Sequence, residues 1–62
     1  MEKWIAMAVG MMHIHGITQS QLAEKMGVRR EHVNKILNGA LKPKGAKERI
    51  EGAIKELISI NE

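Results

Sequence analysis

The sequence predicts a compact all-α domain of four to five helices, four of which can be placed. Apolar residues recur at the three- and four-residue spacing of amphipathic helices, and no segment has the alternating pattern of a strand. Gly16, Gly27 and Gly39 separate the helical segments, as glycines at helix C-termini do. A chain of 62 residues forms one small domain at most.

The first predicted helix spans residues 2–15 and ends at Gly16. Its predicted core stripe consists of Trp4, Ala8, Met11 and His15, flanked by Ile5 and Met12. The apolar run from Trp4 to Met12 is much shorter than the ~20 residues of a membrane span, and it lacks a convincing leader cleavage site. We therefore expect a buried helix.

Two shorter helices are predicted over residues 19–26 and 30–38. Thr18 is a good N-cap, and Gln21 follows it at the spacing of a capping box. The expected buried residues are Leu22, Ala23 and Met26 in one helix, and Val33, Ile36 and Leu37 in the next. The opposite side of the second of these helices carries Arg30, Glu31, Asn34, Lys35 and Asn38.

A polar connection over residues 40–44 precedes the last predicted helix, over residues 46–60. Pro43 disfavours a helical conformation at Lys42, so we expect a non-helical connection between the third and fourth helices. The last helix carries one apolar stripe of Ala46, Ile50, Ala53, Leu57 and Ile60, widened by Ile54 and Ile58. An apolar stripe this broad indicates that the helix packs against a second partner besides the core of its own domain. Gly52 costs ~1 kcal/mol relative to Ala, which either a closely packed backbone offsets or the helix tolerates.

Basic residues are concentrated in the second half of the chain. Residues 25–49 carry eight Lys or Arg and two Glu, a net charge of +6, whereas the remainder carries −3. This asymmetry indicates a surface that binds a polyanion such as nucleic acid. It is weak evidence alone, because runs of charge are more often simply solvated.

Several function classes are disfavoured by composition. The absence of Cys excludes a disulfide scaffold, a cysteine zinc site and a thiol nucleophile. It is also consistent with the reducing environment of the cytoplasm. His13 and His15 point in different directions on a helix, so they cannot share a metal ion. Ser20 and Ser59 lack a plausible general base. We expect no enzyme activity, no cofactor and no metal.

The second and third predicted helices have the spacing of a helix-turn-helix motif. Their close crossing requires a small fifth residue, a ninth residue that allows positive φ, and aliphatic fifteenth and eighteenth residues. Counted from Gln19, these positions hold Ala23, Gly27, Val33 and Ile36. Chance agreement at all four is improbable, so this motif is stronger evidence than the charge.

The sequence TQSQLAEKMGV at residues 18–28, followed by VNKILNG at 33–39, resembles the Cro/lambda-repressor helix-turn-helix family of bacterial and phage transcriptional regulators. The resemblance implies a lambda-repressor-like fold, a cytoplasmic location in a bacterial or phage-infected cell, and binding to double-stranded operator DNA. One small domain makes few base contacts, so we expect a phage or mobile-element repressor that binds an inverted repeat as a homodimer, with the third helix in the major groove.

The resemblance also assigns roles by position. The residues expected to contact bases are Arg30, Glu31 and Lys35, with Asn34 as a secondary contact. The residues expected to contact the DNA backbone are Gln19, Arg29, Asn38, Lys42 and Lys44. Arg30 is the strongest candidate, because a guanidinium pairs bidentately with guanine, which contributes ~1–3 kcal/mol of discrimination. Glu31 either accepts from cytosine or orients Arg30.

A second hypothesis concerns the fourth helix. Its residues Ile54, Leu57, Ile58 and Ile60 are the expected dimer interface. The same apolar face could instead bind another protein, which would make the chain an interaction module such as an antitoxin or antirepressor. A concentration-dependent homodimer favours the DNA-binding hypothesis, whereas a monomer with an exposed apolar patch favours the alternative.

Overall fold

A computed structural model describes residues 2–61 of the chain. They form four helices: α1 (Lys3–His15), α2 (Gln19–Met26), α3 (Arg30–Leu37) and α4 (Ala46–Asn61). No strand occurs among these residues, so the predicted all-α class is confirmed. Each helix begins and ends within one residue of its predicted bounds, and Asn38 caps α3 instead of extending it.

Both ends of α2 are fixed by local interactions. The Thr18 hydroxyl accepts from the Gln21 backbone N–H at 3.1 Å, and the Gln21 side chain accepts from the Thr18 N–H at 2.9 Å, which completes the predicted capping box. The helix ends at Gly27, whose φ of 71° is left-handed. The Val28 N–H then donates to the Ala23 carbonyl at 3.0 Å and closes the turn toward α3.

The core receives side chains from all four helices. Its largest fully buried members are Ile5, Leu22, Val33, Ile36 and Ile50. Helix α4 packs against both α1 and α2, and α2 packs against α3. The helix-turn-helix pair is therefore held against a platform formed by α1 and α4.

The predicted core stripe of α1 is wrong by part of a turn. The residues that α1 buries are Ile5, Ala8 and Met12. Met11 is 41% exposed, His15 is exposed, and Trp4 is only half-buried. Because α1 is apolar on nearly every side, its sequence pattern could not identify the face that α4 covers.

Helix α4 buries Ala46, Ile50, Ala53 and Ile54, as the stripe predicts. Leu57 and Ile58 are half-buried, and Ile60 is 68% exposed. No atom beyond its own turn lies within 4 Å of where a Cβ on Gly52 would stand, so no backbone packs closely there. Gly52 is tolerated in this helix without offsetting contacts.

Two Gly→Ala substitutions should change stability in opposite directions. Neither Gly27 nor Gly52 has a neighbour within 4 Å of an added Cβ, so their backbone conformations decide the outcome. We expect Gly27→Ala to lower the free energy of unfolding by ~1–2 kcal/mol, because it forces Ala into the left-handed region. Gly52→Ala, in a regular helix, should raise it by ~0.5–1 kcal/mol. Urea denaturation followed by circular dichroism measures both, and equal effects would contradict the turn geometry.

Candidate nucleic-acid interface

Helix α3 presents its polar face to solvent. Val33, Ile36 and Leu37 are buried against the core, and this orientation turns the opposite side outward. The outward residues are Arg30, Glu31, Asn34 and Lys35, all of them exposed. The face therefore combines donors and acceptors suited to the edges of bases in a major groove.

A series of side-chain amides connects α2, α3 and the following loop. The Asn34 Nδ2 donates to Gln19 Oε1 at 3.1 Å, across the two helices of the motif. The Asn38 Nδ2 donates to Asn34 Oδ1 at 3.4 Å, and Asn38 Oδ1 accepts from the Ala40 N–H at 3.0 Å. Asn34 is thus engaged within the protein on both polar atoms, and its contacts fix α3 relative to α2.

The outward residues of α3 are contiguous with the start of α2. One shallow pocket is lined by Gln19, Arg30, Glu31, Asn34 and Lys35. A neighbouring pocket is lined by Val28, Arg29, Glu31, His32, Lys35 and Leu41. The structure therefore places all four of the predicted base-reading residues together with two of the predicted backbone contacts.

The loop lysines are placed differently. Lys44 is exposed. The Lys42 ammonium pairs with Glu2 at 3.2 Å, and the other oxygen of Glu2 accepts from the Trp4 indole N–H at 2.8 Å. These bonds, from Trp4 and then Lys42, lower the pKa of the Glu2 carboxyl below its ordinary value.

Sequence reasoning missed the Glu2–Lys42 contact because the two residues lie far apart in the chain. Its consequence is that a carboxylate already pairs with one lysine that was expected to bind phosphate. Glu2 would therefore compete with a phosphate for Lys42, whereas no described carboxylate pairs with the exposed Arg29.

The four residues expected at a dimer interface do not share one surface. Ile54 is only 3% exposed, so it belongs to the core and has almost no surface for a partner. Ile58 lines a groove with residues of α1, at the base of which Ile54 lies, whereas Leu57 and Ile60 line another groove beside α2. The separation follows from helix geometry, because residues two apart, such as Ile58 and Ile60, are ~200° apart around the axis.

Two other features bear on function. Residues 2–61 contain no group of three or more His, Cys, Asp or Glu side chains that could hold a metal ion. None of the helices in that range is long and apolar enough to cross a membrane.

Comparison with known proteins supports the motif. A family model described as helix-turn-helix matches residues 15–47, more than half of the chain. The matched segment contains the whole of α2 and α3, their connecting turn, and the basic loop. No curated protein and no solved structure matches the sequence significantly.

Proposed function

This chain belongs to the Cro/lambda-repressor-like helix-turn-helix family of DNA-binding transcription regulators, and we propose that it is a phage or mobile-element repressor. In this proposal it binds an inverted repeat as a homodimer, with α3 in the major groove. The observation that carries the proposal is the exposed polar face of α3, held in place by the Gln19–Asn34 hydrogen bond.

Direct base contacts are assigned to the free side chains of α3. Arg30 donates to guanine O6 and N7, Lys35 reaches a second acceptor one turn later, and Glu31 accepts from cytosine or orients Arg30. Asn34 acts differently, because its bonds to Gln19 and Asn38 already fix the orientation of its amide within the protein. We assign Asn34 a positioning role for the recognition helix.

Backbone contacts surround this face. Gln19 stands at the start of α2, Arg29 precedes α3, and Asn38 follows it. Lys44 and Lys42 extend the positive region into the loop, and Glu2 competes with phosphate for Lys42. Such contacts set the register of the protein on the duplex without reading its sequence.

A homodimer follows from the need for specificity. A two-fold dimer places two recognition helices ~34 Å apart, one turn of B-DNA. The described Cα atoms extend over 31 × 23 × 16 Å, so two copies in direct contact are large enough to span that distance. Repression by occluding a promoter requires DNA binding alone, which is the activity that the α3 face supports.

Selection from random duplex DNA tests the proposal. Purified full-length protein is incubated with the library at a fixed near-physiological salt concentration, and the bound fragments are sequenced. We expect enrichment of an inverted repeat whose half-sites are one helical turn apart. Salt-sensitive binding without enrichment would contradict sequence-specific regulation and leave the motif as a scaffold for a protein-interaction module.

Lys44→Ala should weaken specific and non-specific binding alike. If the lysine neutralises one phosphate, the slope of log K against log salt should fall by about one unit for each copy bound. Fluorescence anisotropy titrations at several salt concentrations measure the slope. The matched control is Lys25→Ala, because that lysine pairs with Glu56 of α4 at 3.2 Å and lies outside the α3 face. Equal slopes for both variants would exclude a phosphate contact at Lys44.

A further inference from the structure

Helix α1 has a second apolar stripe that the core does not use. Met7 is 66% exposed, Met11 41% and Ile14 75%, and they follow one another at the spacing of successive helical turns. The buried residues of α1 lie on a different side of the helix. Large apolar side chains gathered on one exposed face indicate an interaction surface, whereas single ones do not.

Helix α4 extends this surface. Half-buried Ile58 lines a groove with Met7 and Met11, and Glu51 and Lys55 line the same groove. The two charged residues lie one turn apart on α4 and have opposite signs. The groove is therefore apolar at its centre and carries no net charge at its edge.

We infer that a second copy of this chain binds the outer face of α1, together with Ile58, Glu51 and Lys55 of α4. The inference rests on the proposed function, because it assigns the surface through which the proposed DNA-bound dimer forms. It keeps Ile58 from the expected α4 interface and adds the outer face of α1. The other expected members are excluded, because Ile54 is buried in the core and Leu57 and Ile60 line a groove beside α2.

Charge complementarity favours a second copy over an unrelated partner. A two-fold contact brings the same surface together from both sides, so it must be complementary to itself. Glu51 and Lys55 meet this requirement, because Glu51 of each copy can pair with Lys55 of the other. Each copy carries a net charge of +3, so contact through a neutral surface also avoids repulsion between the basic α3 faces.

A stable dimer would cover a large share of the surface of so small a chain. A stable interface buries ~800 Å² on each partner, about a fifth of the 4414 Å² surface of the described chain. We therefore expect a dimer that forms reversibly with concentration and is further favoured when both copies bind one operator.

Sedimentation of the full chain without DNA tests the inference. Met11→Lys and Val9→Lys are a matched pair, because both residues are 41% exposed on the same helix and two positions apart. Val9 is thus ~200° around the helix from Met11. We expect Met11→Lys to weaken dimerisation at least tenfold and Val9→Lys to change it less than twofold. Circular dichroism confirms that both variants fold.

Cysteine crosslinking locates the interface independently of any loss of folding. The chain has no Cys, so each introduced thiol is unique. We expect at least one of Met7→Cys, Met11→Cys and Ile14→Cys to form an intermolecular disulfide faster than Ile60→Cys. Three results would each overturn the inference. Ile60→Cys could crosslink faster than the α1 variants, the wild-type chain could be monomeric at every concentration, or Met11→Lys could dimerise as strongly as the wild type. Neither experiment uses DNA, so a failed DNA selection beside an intact dimer would count against the proposed function alone.

Discussion

Replacing Arg30 by Ala should reduce specific DNA binding strongly while leaving non-specific binding nearly unchanged. Arg30 is exposed on α3 and has no partner in the protein among the described residues, so its guanidinium is free to reach a base. Loss of a bidentate guanine contact costs ~1–3 kcal/mol in each half-site, or roughly 5- to 150-fold in affinity per copy. Anisotropy titrations with the selected operator and with a scrambled duplex measure the two affinities.

The neighbouring arginine provides the control for this prediction. Arg29 is also exposed, but it precedes α3 as its N-terminal flanking residue and is assigned to the phosphates. Arg29→Ala should therefore weaken binding to the operator and the scrambled duplex by similar factors, with a smaller salt slope. Equal losses on both duplexes for Arg30→Ala would show that Arg30 also contacts only the backbone.

The helix-turn-helix was predictable because its geometry restricts residue types. Ala23 is buried where α2 approaches α3, and Gly27 adopts a left-handed conformation that other residues rarely adopt. Val33 and Ile36 fill the shared core, so the outward face of α3 follows from helix periodicity. In this part of the chain, local sequence and tertiary packing favour the same arrangement.

Other features depend on contacts that local pattern does not encode. Helix α1 has apolar residues on both its buried and its exposed sides, so only the position of α4 shows which side is core. The Glu2–Lys42 pair joins the start of the chain to the loop after α3. The hydrogen bond between Asn34 and Gln19 likewise joins two different helices of the motif. Each case requires knowledge of how distant segments meet.

Two Ile→Ala substitutions on α4 should differ widely in their effect on stability. Ile50 is fully buried, whereas Ile60 is 68% exposed on the same helix. Ile50→Ala removes buried methyl groups and leaves a cavity, so we expect it to lower the free energy of unfolding by ~2–5 kcal/mol. A domain of this size has roughly 3–9 kcal/mol in total, so a large fraction of Ile50→Ala molecules should unfold near physiological temperature and lose DNA binding.

Ile60→Ala should change stability by less than ~0.5 kcal/mol, because its side chain is already hydrated. Urea denaturation followed by Trp4 fluorescence and circular dichroism, at one fixed protein concentration, measures both variants. A cost for Ile60→Ala close to that of Ile50→Ala would mean that Ile60 is covered in solution. Since no described part of the same chain covers it, that result would place the second copy at the end of α4 and contradict the α1 interface. The stability of this variant pair therefore tests the core and the site of self-association together.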